Sequence, residues 1–169
     1  MGDDVVLGQP VLNPTPQYRY VRKVCPTANH PRSLELMSCW RELEARDGMR
    51  MGRDIPSRAL VKLLPHILVT EPVDDWKDAR IRLAGTALIE RFGRDIAGTL
   101  VSETYTQDVD GAALFLKLGA RAAHSREPGV VDTRIFVDGI EIMHLEIVLL
   151  PIYSPDGAGI WNLVGAFRF

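Results

Sequence analysis

The chain has 169 residues, 46% of them hydrophobic and 25% charged, which is enough to fold as one domain without a metal ion or disulfide bonds. Its formal net charge of −2 gives no electrostatic basis for binding nucleic acid or an anionic membrane. The apolar run Ile147–Ile152 is far too short to cross a bilayer. We therefore expect a globular domain with neither a nucleic-acid partner nor a membrane partner.

The two cysteines, Cys25 and Cys39, do not form a C-x-x-C pair, which disfavours a zinc site or a redox dithiol. Cys39 is expected to be a small buried hydrophobe. The N-terminus carries Asp3 and Asp4 where a secretory signal carries positive charge. Few cysteines and no signal sequence indicate a reducing compartment, so we expect a cytoplasmic location.

The first part of the chain is rich in proline, with five prolines in residues 1–31. Proline removes a backbone donor and disfavours helix at the residue before it, which predicts an extended or partly disordered arm over this segment. Residues 32–169 are predicted to form the single domain. Its first helix is predicted to start at Ser33, whose hydroxyl is a good N-cap, and to stop at Gly48.

An apolar stripe runs along this helix, because Leu36, Trp40 and Leu43 recur at intervals of four and three residues. The sequence leaves two packing partners possible for this apolar stripe. It packs either on the outer face of a sheet in its own chain or on a second copy of the chain.

The remaining elements are predicted from apolar periodicity and turn signals. A short helix is predicted at Arg58–Leu64. The five predicted strands are His66–Glu71, Ala79–Ala84, Val130–Val137, Glu141–Leu150 and Gly159–Phe169. Three helical segments lie between the second and third of them: Thr86–Phe92, a helical turn or structured loop at Arg94–Leu100, and Asp108–His124. This order predicts an α+β fold with one five-stranded antiparallel sheet, helices on one of its faces, and an N-terminal flanking helix.

A local motif begins at the end of the second predicted strand: R-L-A-G-T at Arg82–Thr86, then F-G-R-D at Phe92–Asp95 and a further glycine, Gly98. Together with the element order, this motif resembles a bacterial family of PAS-like proteins over about Ser33 to Phe169. The resemblance implies the PAS fold and a stand-alone sensory or regulatory domain in signal transduction.

The conformational needs of turns explain much of this motif, independently of the resemblance to the PAS-like family. Gly85 allows a sharp turn from strand to helix, and Gly93 suits a left-handed residue past a helix end. Arg94 and Asp95 are expected to cap or pair locally and to hold the loop that leads to Gly98. These five residues are interpreted as structural.

A ligand pocket is expected between the inner sheet face and the helices, the usual place for a concave apolar site. By alternation, six strand residues are expected to face it: Ile81, Leu83, Leu145, Ile147, Trp161 and Leu163. Phe92, Phe115 and Leu118 are expected to cover it from the helices. The alternative is that these side chains simply fill the core.

The sequence requires no cofactor and predicts no metal site, because its four histidines are scattered and lack an H-E-x-x-H pattern. Some PAS proteins bind haem iron through a helical histidine, and only His124 matches that arrangement. Capping of the helix end explains His124 as well. Light-sensing PAS proteins place a reactive cysteine in the helix that corresponds to Arg94–Gly98. This chain has Asp95 and Ile96 there, which argues against a flavin–cysteine adduct.

No catalytic residue is assigned, and we expect that the protein is not an enzyme. The main alternative is a small isomerase or cyclase with a cone-shaped pocket, which needs an acid–base carboxylate in an apolar cavity. Asp132 and Glu141 fit that role only if they point inward. His144 and Glu146 share a strand face, which we expect to be the wetter face of the sheet.

No kinase, cyclase or DNA-binding segment is recognised in these 169 residues, so we expect any signal to pass through association with a partner. PAS-like domains often dimerise through a flanking helix, so the resemblance implies a homodimer or a signalling-protein partner. A small-molecule ligand is a further expectation.

Overall fold

The computed structural model describes residues 14–169, so the first part of the predicted arm, residues 1–13, lies outside the described residues. Six strands, four α-helices and two short 3-10 turns follow one another in the described part. The strands are β1 (Tyr18–Cys25), β2 (Ile67–Val73), β3 (Asp78–Ala84), β4 (Gly129–Val137), β5 (Ile140–Tyr153) and β6 (Ile160–Arg168). The helices are α1 (Pro31–Glu44), α2 (Thr86–Phe92), α3 (Val101–Thr104) and α4 (Val109–Ser125), and the 3-10 turns are Arg58–Leu60 and Leu64–His66.

All neighbouring strands are antiparallel, and they form one sheet in the order β1-β4-β5-β6-β2-β3. This confirms the predicted α+β class and the antiparallel sheet. At the β3 edge, the Ile81 amide donates to Thr99 O at 2.9 Å, and the Gly98 amide donates to Ile81 O at 2.7 Å. The loop after α2 therefore covers part of that edge strand.

The sheet has six strands rather than the five predicted, and the additional strand lies inside the segment expected to be an arm. β1 pairs with β4 along its whole length, from Tyr18 opposite Val137 to Cys25 opposite Val130. Its sequence, YRYVRKVC, is rich in aromatic and β-branched residues. The prolines flank this run and none lies within it, so they bound a strand instead of preventing one.

Helix α1 packs on the sheet face opposite to α2–α4. Leu36 and Trp40 are buried there against β5 and β6, and the Trp40 Nε1–H donates to Pro151 O at 2.8 Å. Leu43 is partly buried against the same core. A Cβ on Gly165 would meet Leu36, so the helix approaches β6 closely. Of the two partners considered for the apolar stripe, the structure shows the sheet of its own chain.

The start of α1 differs from the prediction. The N-cap is His30, whose Nδ1 accepts from the Arg32 amide at 3.1 Å, and Pro31 follows in the favoured first position. Ser33 is fully buried within the helix. The carboxylate of Glu146 accepts from the amides of Asn29 and His30 at 2.8 and 2.9 Å. Glu146 is therefore a buried acceptor at the helix entry and does not mark a wet sheet face.

The other sheet face and α2–α4 enclose a second apolar core. Helix α4 lies close to the sheet at Gly119, where a Cβ would meet Trp76 and Asn162 at 3.0 Å. The side-chain amide of buried Asn162 donates to Gly119 O at 2.9 Å, so this polar group on the sheet has a partner on the helix.

The glycines of the motif hold the backbone in place for two different reasons. Gly93 is left-handed, with φ of 69°, as predicted for the residue past a helix end. Gly85 has an ordinary φ of −69°, but a Cβ there would overlap the carbonyl oxygens of Leu64 and Pro65. Asp95 Oδ1 accepts from the Ala97 amide at 3.0 Å and forms the local turn that leads to Gly98.

Candidate ligand-binding cavity

A cavity of about 660 Å³ lies between the sheet and helices α2–α4. Alternation along the strands brings one side chain in two to its wall. The sheet contributes Tyr18, Tyr20, Arg22, Leu68, Val131, Thr133, Ile135, Ile142, Met143, Leu145, Ile147, Leu149, Val164 and Ala166. The helices and their connections contribute Leu88, Arg91, Phe92, Arg94, Thr104, Tyr105, Thr106, Gln107, Asp108, Gly111, Leu114, Phe115 and Leu118.

Three aromatic rings support the helical wall. Tyr105 contacts Phe92 edge-to-face, with centroids 5.3 Å apart and planes at 89°, and lies nearly parallel to Phe115 at 6.4 Å. Such pairs favour defined ring positions. The aromatic side of the cavity is therefore held by contacts among α2, α4 and the segment after α3.

An ion pair connects the sheet edge with the start of α4. Arg22 of β1 pairs with Asp108, and both side chains are largely buried, with 17% and 16% exposed. Asp108 is also the N-cap of α4, because its carboxylate accepts from the Gly111 amide at 3.1 Å. A Cβ on Gly111 would collide with both partners, so the missing side chain makes room for the pair.

Two tyrosines next to this ion pair are neutral hydrogen-bonding groups. Burial raises the pKa of Tyr105 to about 12, with Asp108 adding to the rise and Arg91 opposing it. Burial and the Asp108 carboxylate also raise the pKa of Tyr20, whose ring lies 4.7 Å from the Arg22 guanidinium carbon. Both phenols therefore keep their protons at physiological pH and can donate.

Arg91 is a second cation of the cavity and interacts with Tyr105. The residue as a whole is exposed, but local desolvation and the Arg168 charge lower its pKa, with Tyr105 opposing; the guanidinium stays charged at any physiological pH. Within residues 14–169, no carboxylate forms an ion pair with Arg91 or with Arg94. We call Tyr20, Arg22, Arg91, Tyr105 and Asp108 the polar cluster of the cavity.

A family model described as PAS domain matches residues 28–167. The chain belongs to the PAS domain family. No curated protein and no solved structure matches it. Tyr20 and Arg22, on β1, lie before the matched residues, whereas the other members of the polar cluster lie within them.

The cavity of this PAS domain brings together four of the six residues predicted to bind a ligand: Phe92, Phe115, Leu118 and Leu145. Ile147, which was also expected to face inward, lines it too. Ile81 belongs to the core on the same face, without lining the cavity.

Trp161, Leu163 and Leu83 were expected to face the cavity and instead pack on the opposite face, with the α1 core. On β6 the cavity side is occupied by Val164 and Ala166. The strand is buried on both faces and most side chains in both of its alternating sets are apolar, so alternation alone did not identify the inner set.

His124 lies outside the cavity of the PAS domain. It is at the end of α4 with 66% of its side chain exposed, and its Nε2 lies 3.4 Å from Asp75 Oδ1. None of the residues that the structure places around the cavity is a histidine or a cysteine. The geometry therefore does not favour axial haem ligation from His124.

The two carboxylates of the alternative enzyme hypothesis also lie elsewhere. Asp132 Oδ2 is 2.6 Å from His144 Nε2, and Glu141 pairs with Arg134 at 3.1 Å. Neither carboxylate lines the cavity. His144 stacks on Phe169, with centroids 4.3 Å apart.

Residues 14–169 contain no group of three or more His, Cys, Asp or Glu side chains that could hold a metal ion. The helices of the same range include none that is long and apolar enough to cross a membrane.

The sequence did not predict the polar cluster. Tyr20 and Arg22 fall in the segment interpreted as an arm, and Asp108 was seen only as the start of a helix. One signal was available: the alternation Tyr18, Tyr20, Arg22 places three long side chains on one face of a strand.

Proposed function

We propose that this PAS-type sensory domain binds a small molecule in the cavity between the sheet and helices α2–α4. The observation that carries the proposal is the cavity itself, about 660 Å³ in volume, with mostly apolar walls and a few convergent polar groups. Its size and composition are those of small-molecule sites, which span roughly 300–1,000 Å³. Binding there would change the contacts of α2–α4, which form one wall.

We propose a binding role rather than catalysis. The support is the position of Asp132 and Glu141, which pair with His144 and Arg134 away from the cavity. Asp108 is the one carboxylate among the described cavity residues, and it is occupied by Arg22 and the start of α4. A general acid or base needs a carboxylate that is free to reach the substrate.

The signal is proposed to pass to a second copy of the chain or to a signalling protein. Support comes from β1, an edge strand that leaves Tyr18, Val21 and Val24 exposed. Edge strands with apolar side chains are natural sites of association. Two free cysteines, Cys25 and Cys39, agree with a reducing compartment, and we propose the cytoplasm. Native mass spectrometry of the isolated protein would report both oligomeric state and any retained small molecule.

Binding in the cavity can be tested with N-phenyl-1-naphthylamine, a neutral probe whose fluorescence rises in apolar surroundings. We expect saturable binding to the wild type. Leu118→Trp places a larger side chain in the cavity and should weaken the probe about tenfold or more. Ile147→Phe also fills part of the cavity, from the sheet side, and should weaken probe binding in the same way. It is the second test variant if Leu118→Trp unfolds.

The matched control is Val109→Trp, on the same helix but 69% exposed and outside the cavity. It should leave probe affinity unchanged. Non-saturable binding to the wild type, or equal affinity in the control and in both folded cavity variants, would contradict the proposal.

A further inference from the structure

The cavity has two chemically different regions. Most of the sheet side is apolar, as at Leu145, Ile147 and Val164. The polar cluster forms the other region, held together by the Arg22–Asp108 ion pair and by the position of Tyr105 beside Arg91 and Asp108. A ligand that complements both regions must itself be amphipathic.

The charges around the cavity do not balance. The described residues that line it include three guanidinium groups, Arg22, Arg91 and Arg94, and one carboxylate, Asp108. Asp108 pairs with Arg22, and no carboxylate in residues 14–169 forms an ion pair with Arg91 or Arg94. Both arginine side chains line the cavity and are exposed, so they are free to meet a ligand. A guanidinium can hold an oxyanion with two parallel hydrogen bonds.

Tyr105 favours the same kind of ligand, an anion, because it can donate a hydrogen bond to it. Tyr105 remains protonated because burial holds its pKa at about 12. Its hydroxyl forms no hydrogen bond within the described part of the chain, so its proton is available to a ligand oxygen. A neutral phenol donor beside a guanidinium favours an oxyanion over a neutral or cationic head group.

We propose that the ligand is an amphipathic anion, whose single oxyanion head binds Arg91 and Tyr105 and whose apolar body lies over Leu145 and Ile147. This rests on the proposed function, that the cavity binds a small molecule. Carboxylic acids and phosphate monoesters share the required head-group chemistry, and the experiment separates them.

The test displaces N-phenyl-1-naphthylamine from the full chain with three ten-carbon probes: decanoate, decyl phosphate and decanol, each kept below its micelle concentration. We expect decanoate, decyl phosphate or both to bind at least about tenfold more tightly than decanol, and the tighter of the two identifies the head group. The advantage should shrink as salt concentration rises. Equal affinity of decanol and both anions would overturn the inference, while saturable binding of the neutral probe would leave the proposed function standing.

Variants assign the head group to the polar cluster. Arg91→Met keeps a long stem but removes the charge, and should weaken the tighter anion about tenfold while leaving decanol unchanged. Arg91→Lys keeps the positive charge but removes the two parallel N–H donors of the guanidinium, and should give an intermediate loss of anion affinity. It replaces Arg91→Met in the test if that variant unfolds. Tyr105→Phe keeps the ring contacts and should weaken the same anion by a smaller factor.

Arg121→Met is the matched control, because Arg121 is exposed on α4 and does not line the cavity. It should leave all three affinities unchanged. The assignment is overturned if anion affinity survives in the folded Arg91 variants, or if Arg121→Met weakens the anion as much as Arg91→Met does.

Discussion

Two glycines of this PAS domain are required because they have no side chain, which lets neighbouring atoms approach the backbone closely. Gly85 lies where two carbonyl oxygens approach the chain, and Gly111 lies where the Arg22–Asp108 pair needs room. At both glycines, neighbouring atoms lie closer to the position of an added Cβ than van der Waals contact allows. Flexibility is not the reason for either one, since a close approach excludes a side chain at any φ.

Gly85→Ala should therefore destabilise the domain by about 3 kcal/mol, because the methyl group would overlap the backbone carbonyls of Leu64 and Pro65. Gly93→Ala is the comparison, since its φ of 69° is left-handed and nothing lies within 4 Å of the added Cβ. That change should cost only about 1 kcal/mol. Urea denaturation of both variants measures the difference, and equal losses would contradict the close-approach explanation.

At the scale of elements, the sequence identified β2 to β6 and α2 because alternation and turn residues act locally. β1 was missed because proline density in residues 1–31 hid an eight-residue strand whose partner, β4, lies more than a hundred residues away in the chain. The polar cluster was missed with it. Four of the residues expected to face a ligand line the cavity, whereas Trp161 does not, because β6 is buried on both faces.

The Arg22–Asp108 pair should be the main polar link between β1 and α4. Because both side chains are largely buried, a double-mutant cycle with Arg22→Met and Asp108→Asn should give a coupling free energy of about 2 kcal/mol. Urea denaturation supplies the four stabilities. The Arg82–Glu71 pair between β3 and β2 is more exposed, at 44% and 30%; it is the matched cycle and should couple by less than about 1 kcal/mol. Equal coupling in the two cycles would show that burial does not strengthen the first pair.

At the scale of the whole molecule, two cores share one sheet. Helix α1 covers one face, and α2–α4 cover the other and line the cavity. Arg126, at the end of α4, donates to Glu44 at the end of α1 at 3.0 and 3.1 Å and lies over the Tyr153 ring. The two helical layers are therefore joined around the end of β5, outside the cavity.

This arrangement makes α1 part of the monomer's own core. Leu36→Ala should lower the free energy of unfolding by about 3 kcal/mol, because the side chain is fully buried against the sheet. The control Leu34→Ala lies on the same helix but is 48% exposed, and should change it by less than about 0.5 kcal/mol. If α1 packs within one chain, the loss is the same at every protein concentration. A thermal midpoint that rises with protein concentration in the wild type, and no longer does so in Leu36→Ala, would instead place the stripe at an interface between two copies.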